Sequence, residues 1–487
     1  MSAGLEAGAV ATLTLAPAGG GDLPDDVALL DSTSAGRYLP SLRALDETRT
    51  ALERHGLRVE SASRAGLTVG GDVTTFDAAF GTRVEVRRLR HIRQSRYLVH
   101  ASDQAPAVPA WLPHVRQVTF PRQLYVLDGP AAVPPPLDYF HLPVPDAVAR
   151  QTCADAFGDT RERGRGVSVV MIDTGLYRHP HFAAHGLDLA VVPAVTGLDT
   201  ARDERGHGTG MASILLSVAP GARLTMVKAA DDGFSFPVAA FQRAAALHPD
   251  VISCSWGTIG FEPHLYLEIA AAVASGVTVV FSAGNGSSDR RGALFQTVAH
   301  PEVVSVGGCT VDGSGALAVS DVSSSYASDL FPGRTCPDLC GICGDRPYAQ
   351  LVLMPTEPGS LFDRENGRRD GTRPDDGWFV SSGTSAAAAH VSGLIACALA
   401  AGAERARPAL MDVLRRGSVR VSAGRSFMGA PAVAEERNPA VGYGFLRGDR
   451  LRAALEHGTA GARPQWAVHE HLLEGDSPGG VPDDQGW

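Results

Sequence analysis

Three short segments of the sequence carry side chains that together could form a nucleophilic active site. Asp173 lies in an IDTG motif directly after the apolar run VSVVM. His207 lies in GHGTG, and Ser385 lies in SGTS ahead of the small-residue run AAAAHVSG. A hydroxyl becomes a strong nucleophile when an imidazole accepts its proton and a carboxylate orients that imidazole. The three residue types predict acyl transfer, with Ser385 as nucleophile, His207 as base and Asp173 as orienting group.

A fourth segment, SAGN, offers a donor for the oxyanion that such a reaction develops. It follows the apolar run VTVVF and ends at Asn285. A Ser385 placed in the first turn of a helix would add its backbone amide, because N–H groups there lack intrahelical partners. The sequence predicts an oxyanion hole formed by Asn285 and the Ser385 amide.

Each of these residues also has a structural interpretation. An Asp after a strand or a Ser before a small-residue helix can be an ordinary cap, and Gly-Asn is a common turn. The glycines around His207 favour the catalytic interpretation, because they let other groups approach closely. A helix that begins at His207 should disfavour the protonated imidazole, so we expect a base that is neutral near pH 7.

The elements that must position these residues alternate between strand and helix in the second part of the chain. The predicted strands are 167–173, 224–229, 251–256, 277–283 and 303–308, and predicted helices include 237–247 and 264–275. Nearly continuous apolar strands that alternate with helices are typical of a parallel sheet covered on both faces. The predicted fold class is therefore α/β, with a parallel, doubly wound sheet whose strand ends hold the site.

A different pattern precedes this region. The predicted strands there are 10–16, 57–60, 66–69 and 84–86, and the predicted helices are 41–55 and 76–80. This order suggests a small α+β sandwich of the ferredoxin type. We predict four segments: a small domain at 1–125, a Pro-rich linker and entry segment at 126–165, a catalytic domain at 166–456 and a polar tail at 457–487.

Taken together, the motifs resemble those of the subtilisin-like serine peptidases, the subtilases. IDTG resembles the Asp motif of that family. GHGTG, the following MAS and the later segment APGARLTMVKA resemble its His region. SGTS followed by AAAAHVSG resembles its Ser region. The order Asp, His, Ser is also that of the subtilisins. The resemblance covers residues 165–455 and implies a subtilisin-type sheet and a serine endopeptidase with Asp173, His207 and Ser385 as its triad.

The resemblance also implies where a substrate would bind. The implied substrate-binding residues are Ser255, Trp256 and Gly257 on one side and Ser282, Ala283 and Gly284 on the other. Main-chain pairing with an extended peptide gives affinity with limited sequence selectivity. Trp256 replaces a smaller apolar residue, so we expect it to narrow a subsite. The region 336–378 is longer than usual and is the expected source of unusual selectivity.

Three positions depart from the family pattern. Gly210 stands where family members usually carry a second His, and Ala386 and Ala389 stand where Met and Pro are usual. None of these changes touches the triad. We therefore expect them to affect the rate rather than the reaction.

The first part of the chain has a resemblance of its own. Residues 52–86 are similar to the activation domains that precede sedolisin-type peptidases. This implies that residues 1–125 act as a folding chaperone and intramolecular inhibitor, a partner from within the chain. The catalytic part does not follow the sedolisins, in which Glu and Asp do the base work, because DTG, HGTG and AGN indicate subtilisin chemistry.

Three functions follow as alternatives. The first is peptide-bond hydrolysis through an acyl-enzyme by a regulated or precursor-processing protease, with a peptide or protein substrate. The second is a catalytically silent subtilase fold that binds extended peptides. The third is a latent enzyme whose cleft residues 1–125 block until a partner releases them.

The net charge and the pattern of charged and apolar residues exclude some classes of partner and suggest a location in the cell. The formal net charge of −10 argues against nucleic acid or an anionic membrane as the main partner. A run of arginines between Arg83 and Arg96 is explained by a solvated strand or hairpin face. The first residues contain no basic segment and no long apolar run, so we expect a cytoplasmic protein without a membrane span.

Cysteine usage predicts no disulfide framework, since seven is an odd number. Cys336, Cys340 and Cys343 form a C-x3-C-x2-C cluster that could hold a metal, but no fourth Cys or His follows at ligand spacing. We expect no cofactor. The family resemblance allows structural calcium, for which the sequence identifies no site.

Overall fold

The fold was analysed in a computed structural model of the chain. The structure describes residues 8–20, 31–88, 96–100, 106–120, 125–126, 139–187, 189–231, 235–258, 261–286, 296–346, 349–427, 429–433 and 436–457. Residues 127–138 of the predicted linker and entry segment and residues 458–487 of the predicted tail lie outside these residues.

The first part of the chain forms a four-stranded antiparallel sheet and a separate hairpin. The strands are β1 (Gly8–Leu15), β2 (Arg58–Ala62), β3 (Gly66–Asp72), β4 (Val84–Arg88), β5 (Arg96–His100) and β6 (Val115–Thr119). The helices are α1 (Ala35–Tyr38), α2 (Leu42–Arg54) and α3 (Val73–Phe80). The sheet order is β2-β3-β1-β6, and β4 pairs with β5 in the hairpin.

This arrangement departs from the sequence prediction at one strand. The fourth strand of the sheet is Val115–Thr119 rather than 84–86, which belongs to the hairpin. Val115 and Val118 join the core of the sheet, together with Phe76 and Phe80 of α3. A short alternating segment near residue 84 satisfies the strand pattern in either setting, because only long-range pairing decides which sheet it joins.

The remaining chain builds the larger α/β unit. Its strands are β7 (Tyr125–Val126), β8 (Leu142–Pro143), β9 (Ser168–Asp173), β10 (Leu189–Pro193), β11 (Arg223–Lys228), β12 (Val251–Cys254), β13 (Trp256–Gly257), β14 (Thr278–Ser282), β15 (Val304–Val311), β16 (Leu317–Val319), β17 (Tyr326–Ala327), β18 (Thr335–Cys336), β19 (Leu339–Ile342), β20 (Val352–Pro355), β21 (Trp378–Ser381), β22 (Ser418–Val419) and β23 (Phe445–Leu446).

Its helices complete the layers around the sheet. They are α4 (Asp146–Gln151), α5 (Pro180–Ala184), α6 (His207–Val218), α7 (Pro237–Ala245), α8 (Pro263–Ala274), α9 (Leu361–Asn366), α10 (Thr384–Ala400), α11 (Arg407–Arg416) and α12 (Gly448–Glu456), with 3₁₀ helices at Ala154–Phe157 and Gln296–Ala299.

The main sheet follows the order β10-β11-β9-β12-β14-β15-β19-β23-β22. Neighbours from β10 to β23 pair in parallel, as the apolar runs predicted. The chain leaves β9 for one side of the sheet and later returns to build β12 on the other side. This reversal creates a topological switch point between β9 and β12, where open α/β sheets place their sites.

The two parts of the chain meet on α7 and α8 through a buried polar chain. Thr68 Oγ1 donates to Gln242 Oε1 (2.7 Å), and Gln242 Nε2 donates to Glu268 Oε1 (2.9 Å). Ser63 Oγ also donates to Glu268 Oε1 (2.8 Å). Burial raises the pKa of Glu268 to about 7. The face of the four-stranded sheet is therefore matched to these helices by specific hydrogen bonds as well as by apolar packing.

Among the helices that the structure describes, none combines the length and the apolar character needed to cross a membrane.

Candidate active site

Asp173 ends β9 at the switch point of the sheet. Its side chain is 1% exposed, and Oδ1 accepts hydrogen bonds from the Thr174 amide (2.7 Å) and from His207 Nδ1 (2.7 Å). The carboxylate therefore holds the imidazole through one nitrogen and leaves Nε2 available as a proton acceptor. The orienting role predicted for Asp173 requires this hydrogen bond.

His207 is the first residue of α6. The preceding residue, Gly206, has φ +84°, and a Cβ there would lie 1.9 Å from Thr356 Oγ1 and 2.4 Å from Ser360 Oγ, so only glycine fits. Burial lowers the pKa of His207, but the Asp173 carboxylate and its hydrogen bond outweigh burial, and the pKa lies above its ordinary value. The expectation of a pKa depressed by the helix N-terminus is therefore wrong, because a carboxylate in direct contact acts more strongly than the helix dipole.

Asp203 lies beside the candidate site and was not predicted from the sequence. Its carboxylate is fully buried; Oδ1 accepts from Thr174 Oγ1 (2.8 Å) and the Gly206 amide (3.0 Å). Oδ2 accepts from the amide (2.8 Å) and Oγ1 (2.6 Å) of Thr209. One side chain thus ties the residue after Asp173 to the first turn of α6. An acidic residue four positions before His207 is the signal that could have identified it as a cap of that turn.

The buried ammonium group of Lys228 also holds the loop that leads into His207. Lys228, at the end of β11, is fully buried and donates through Nζ to the carbonyl oxygens of Asp199 (2.9 Å) and Arg202 (2.9 Å). It also forms an ion pair with Glu204 Oε2 (2.6 Å). The loop that leads into His207 is therefore fixed at both the carboxylate of Asp203 and the ammonium of Lys228.

Replacing Asp203 with Asn is expected to lower the pKa of His207. The negative charge of Asp203 favours the imidazolium, so removing that charge makes His207 lose its proton at lower pH. Titration of the histidine side chains by NMR measures this shift directly. Asp159→Asn, which neutralises an exposed carboxylate, is the matched control and should leave the His207 titration unchanged. An unchanged His207 titration in folded Asp203→Asn protein would contradict the assigned role.

Ser385 is the second residue of α10, directly after Gly383 and Thr384. Its Oγ donates to the carbonyl oxygen of Ser255 at 3.2 Å, and Ser255 Oγ donates back to the Ser385 carbonyl oxygen at 3.0 Å. His207, Asn285 and Ser385 line one pocket. Among the described residues, Ser385 Oγ bonds to Ser255 rather than to His207, so the hydroxyl must rotate before it can transfer a proton to the imidazole.

The amide of Asn285 is held in one orientation. Asn285 Oδ1 accepts from the Thr384 amide (2.7 Å) and from Thr384 Oγ1 (2.8 Å), which leaves Nδ2 as the group available to a ligand. A Cβ at Gly383 would lie 2.5 Å from Nδ2, so glycine is needed for this close approach. Asn285 and the start of α10 therefore converge on one position beside Ser385, as expected for an oxyanion hole.

The strand predicted to bind substrate is interrupted in the structure. β12 ends at Cys254, and Trp256–Gly257 (β13) leaves the main sheet to pair antiparallel with Tyr125–Val126 (β7). The predicted continuous strand 251–256 is therefore wrong, because Ser255 bonds to Ser385 instead of to the sheet. The backbone of β13 is engaged by an extended segment, the mode of pairing that the sequence predicted for a peptide.

Trp256 does not narrow a subsite. Its side chain is 1% exposed, its Nε1 donates to the Ile172 carbonyl oxygen at 2.9 Å, and its ring packs edge-on against Phe281. The indole thus lies in the core below the site and supports the residue that precedes Asp173. The prediction failed because sequence alone does not tell which face of a short strand is buried.

The other predicted substrate-binding segment lies at the end of β14, which closes at Ser282. Ala283 N donates to the Val306 carbonyl oxygen (2.7 Å), and Gly284 N donates to Thr384 Oγ1 (3.1 Å). These backbone bonds brace the turn that carries Asn285. The proposed contact of Ser282–Gly284 with substrate stays a prediction.

The departure at Gly210 has a structural reason. A Cβ at Gly210 would lie 2.7 Å from Met354 Sδ and 3.2 Å from Phe379 Cζ. Both side chains belong to the long region before Ser385, where β20 and β21 pair with each other and β20 also pairs with β8. The glycine therefore leaves room for side chains that the longer connection supplies.

The three cysteines of the C-x3-C-x2-C segment each contact a different group. The Sγ atoms of Cys336, Cys340 and Cys343 contact the carbonyl oxygens of Val298 and Val441 and the hydroxyl of Ser320, respectively. All three thiols are buried, and burial raises the pKa of each. Within the described residues, no group of three or more His, Cys, Asp or Glu side chains is arranged to hold a metal ion.

Comparisons with known proteins show which family and which solved fold this chain resembles. A model of the subtilase family, peptidase S8, matches residues 164–416. Subtilisin E from Bacillus subtilis (strain 168) is 27% identical over 251 residues, which cover 48% of this chain and 56% of that protein. The serine protease AprX from the same organism is 24% identical over 289 residues, which cover 52% of this chain and 62% of that protein.

The fold has a solved counterpart in fervidolysin from Fervidobacterium pennivorans, a keratinolytic enzyme related to subtilisin. The two structures superpose with a TM-score of 0.53 at 17% identity, over 92% of this chain and 61% of fervidolysin. The chain thus spans less than two thirds of the length of each of these three proteins. The α/β fold of subtilisin type predicted from the sequence is confirmed. The resemblance of residues 52–86 to sedolisin-type activation domains stays a prediction.

Proposed function

Because the chain belongs to the subtilase family, we propose that it is a serine endopeptidase that cleaves peptide bonds through an acyl-enzyme. The observation that carries this proposal is the 2.7 Å hydrogen bond between His207 Nδ1 and Asp173 Oδ1 in the pocket shared with Ser385. A carboxylate-bound imidazole beside a serine at a helix N-terminus has the components that acyl transfer requires.

In the proposed reaction, Ser385 Oγ turns from the Ser255 carbonyl oxygen toward His207 and attacks the substrate carbonyl carbon. His207 accepts the hydroxyl proton at Nε2, and Asp173 stabilises the imidazolium that forms. Asn285 Nδ2 and the Ser385 amide donate to the oxyanion. His207 then protonates the leaving amine, and a water molecule activated by the same imidazole releases the acyl group from Ser385.

Regulation by the N-terminal part of the chain belongs to the same proposal. Tyr125 pairs with Gly257 and Val126 with Trp256, so the chain's own segment occupies the strand position proposed for substrate. Followed in its chain direction, this segment leads toward Ser255 and therefore toward Ser385. Residues 1–126 would thus act as an intramolecular inhibitor, and the first self-cleavage is expected shortly after Val126.

A fluorophosphonate probe tests the proposed function. Intact mass is measured after probe treatment for the wild-type protein, for Ser385→Ala and for the control Ser382→Ala, which removes a hydroxyl from the same pocket wall. The wild-type and Ser382→Ala proteins should gain one adduct, with loss of an N-terminal fragment that ends shortly after Val126. Ser385→Ala should stay full-length and unlabelled. An adduct on Ser385→Ala equal to that on wild type would assign the nucleophile elsewhere, and no adduct on folded wild type would favour the silent fold.

A further inference from the structure

A cavity of about 570 Å³ lies where the N-terminal part of the chain meets α7 and α8. One wall is formed by Leu45 of α2 and by residues 62–65 at the turn from β2 to β3. The other wall includes Ala245 of α7 and Ala271 and Ala272 of α8, and none of the four candidate catalytic residues lines the cavity. Small-molecule sites occupy about 300–1000 Å³. The cavity therefore has room for a small ligand that would contact both parts of the chain.

Glu268 of α8 is a buried carboxyl group in the wall of this cavity. The residue is 2% exposed and lines the cavity. Its Oε1 accepts hydrogen bonds from Ser63 Oγ (2.8 Å) and from Gln242 Nε2 (2.9 Å). Oε2 accepts no hydrogen bond from the described residues. One oxygen of a buried carboxyl group is thus available to a ligand in the cavity.

No cation in the described part of the chain compensates a negative charge on Glu268. Burial raises its pKa to about 7, against the hydrogen bonds from Gln242 and Ser63, and no charged neighbour contributes to this shift. His264 lies one turn earlier on α8 and shares a hydrogen bond with Thr14 Oγ1 through Nδ1 (2.6 Å). Burial lowers the pKa of His264 to about 4, so this imidazole is neutral near pH 7. A buried carboxylate without a counter-ion is costly, and a cationic ligand at Oε2 would remove that cost.

The other charged and titratable side chains that line the cavity are exposed. They are Asp46 and Arg49 on α2, Arg64 between β2 and β3, and His248 after α7. Solvent screens exposed charges much more strongly than buried ones. The buried carboxyl group of Glu268 therefore dominates the choice of a charged ligand inside the cavity.

We propose that this cavity binds a small primary amine, with the ammonium group on Glu268 Oε2 and the apolar body against the alanine and leucine side chains of the walls. A ligand that binds only the assembled cavity stabilises the contact of the N-terminal part with α7 and α8. The inference goes beyond the proposed peptidase function and does not depend on it, because no candidate catalytic residue takes part.

Isothermal titration calorimetry with two compounds of nearly equal shape tests the site. The probe is 2-phenylethylamine, and the neutral comparison is 2-phenylethanol. The protein is full-length Ser385→Ala, which is expected to keep the N-terminal part and with it the cavity. At pH 8 the amine should bind about tenfold or more tightly than the alcohol, because only the ammonium group forms a charge-assisted hydrogen bond with the carboxylate. Equal affinities, or no binding of the amine, would overturn the site.

The pH dependence of this binding is a second readout. The amine stays protonated between pH 5.5 and 8, as an aliphatic ammonium group does. Glu268 takes up a proton as the pH falls below about 7, and the amine must then displace that proton. Affinity for the amine should therefore fall about tenfold or more from pH 8 to pH 5.5, whereas affinity for the alcohol should not change. An amine affinity that is the same at both pH values would contradict the role of Glu268.

Glu268→Gln tests the carboxylate directly. It keeps an oxygen for the hydrogen bonds from Ser63 and Gln242 but removes the charge, so both the preference for the amine and its pH dependence should disappear. A histidine also changes charge in this pH range, so a pH dependence that persists in Glu268→Gln would assign the effect to His248 instead. Glu53→Gln is the matched control, because Glu53 is exposed on α2 and does not line the cavity, and it should bind the amine as before.

Ala271→Leu locates the site without changing Glu268. The larger side chain fills part of the cavity from α8, so both compounds should bind more weakly to the folded variant. Unchanged binding in Ala271→Leu would place the amine elsewhere on the protein. Failure of the fluorophosphonate to label the wild-type protein would overturn the proposed function but would leave these binding results unaffected.

Discussion

The Asp173→Asn protein is expected to keep its fold and to lose about four orders of magnitude in kcat. The 2.7 Å bond from His207 Nδ1 to Asp173 Oδ1 fixes the imidazole tautomer in which Nε2 accepts a proton. An amide at position 173 can present N–H instead of oxygen, which favours the opposite tautomer and removes the charge that stabilises the imidazolium. The measurement is kcat on one peptide substrate, with thermal unfolding recorded in parallel.

The control for this prediction is Asp159→Asn, which neutralises an exposed carboxylate in the part of the chain that is retained after the proposed self-cleavage. Its kcat should match that of the wild type. If Asp173→Asn protein were folded and within about tenfold of wild-type kcat, the triad assignment would be wrong, because no other carboxylate in the described residues hydrogen-bonds to His207.

The Asn285→Ala protein should lose about 100- to 1000-fold in kcat with little change in KM. The oxyanion exists only in the transition state and the intermediate, so its donor acts on kcat rather than on ground-state binding. Asn285 Nδ2 is the donor, because Oδ1 is already engaged by the amide and hydroxyl of Thr384. Steady-state kinetics that resolve kcat from KM measure this effect.

Two further variants make the Asn285 test specific. Asn285→Asp keeps the side-chain shape but offers no amide donor, and it should also lose activity. Asn438→Ala removes an amide that is also buried but donates to the Val433 carbonyl oxygen away from the site, and its kcat should be unchanged in the folded protein. A loss confined to KM in Asn285→Ala would place this amide in substrate binding instead of in the oxyanion hole.

Local patterns in the sequence were enough to predict the proposed catalytic residues and the elements that carry them. The apolar run before Asp173, the glycines around His207 and the small residues after Ser385 each specify a strand end or a helix start through short-range effects. Strand–helix alternation then indicates a parallel sheet, in which the ends of neighbouring strands meet at one edge. The residue types, their order and the fold class therefore follow from the sequence alone.

Contacts between segments far apart in the chain determine how the candidate site residues are held, which the sequence did not predict. Asp203 joins Thr174 to the first turn of α6, and no local pattern reveals that the two lie within hydrogen-bond distance. The raised pKa of His207 likewise depends on a carboxylate that is 34 residues away in the chain. The position of His207 at a helix N-terminus is visible in the sequence, but it predicted a lowered pKa for this residue.

The environment of Gly210 and the course of residues 251–257 also depend on contacts between segments far apart in the chain. Gly210 looks like a lost histidine in the sequence, but Met354 and Phe379 occupy the space beside it. The run VISCSW looks like one strand, but Ser255 bonds to Ser385 and turns Trp256 into the core. The sequence alone determined which residues are the candidates for the reaction and in which elements they lie. Only the tertiary structure decided how these residues are oriented and what surrounds them, because orientation depends on packing and hydrogen bonds between segments far apart in the chain.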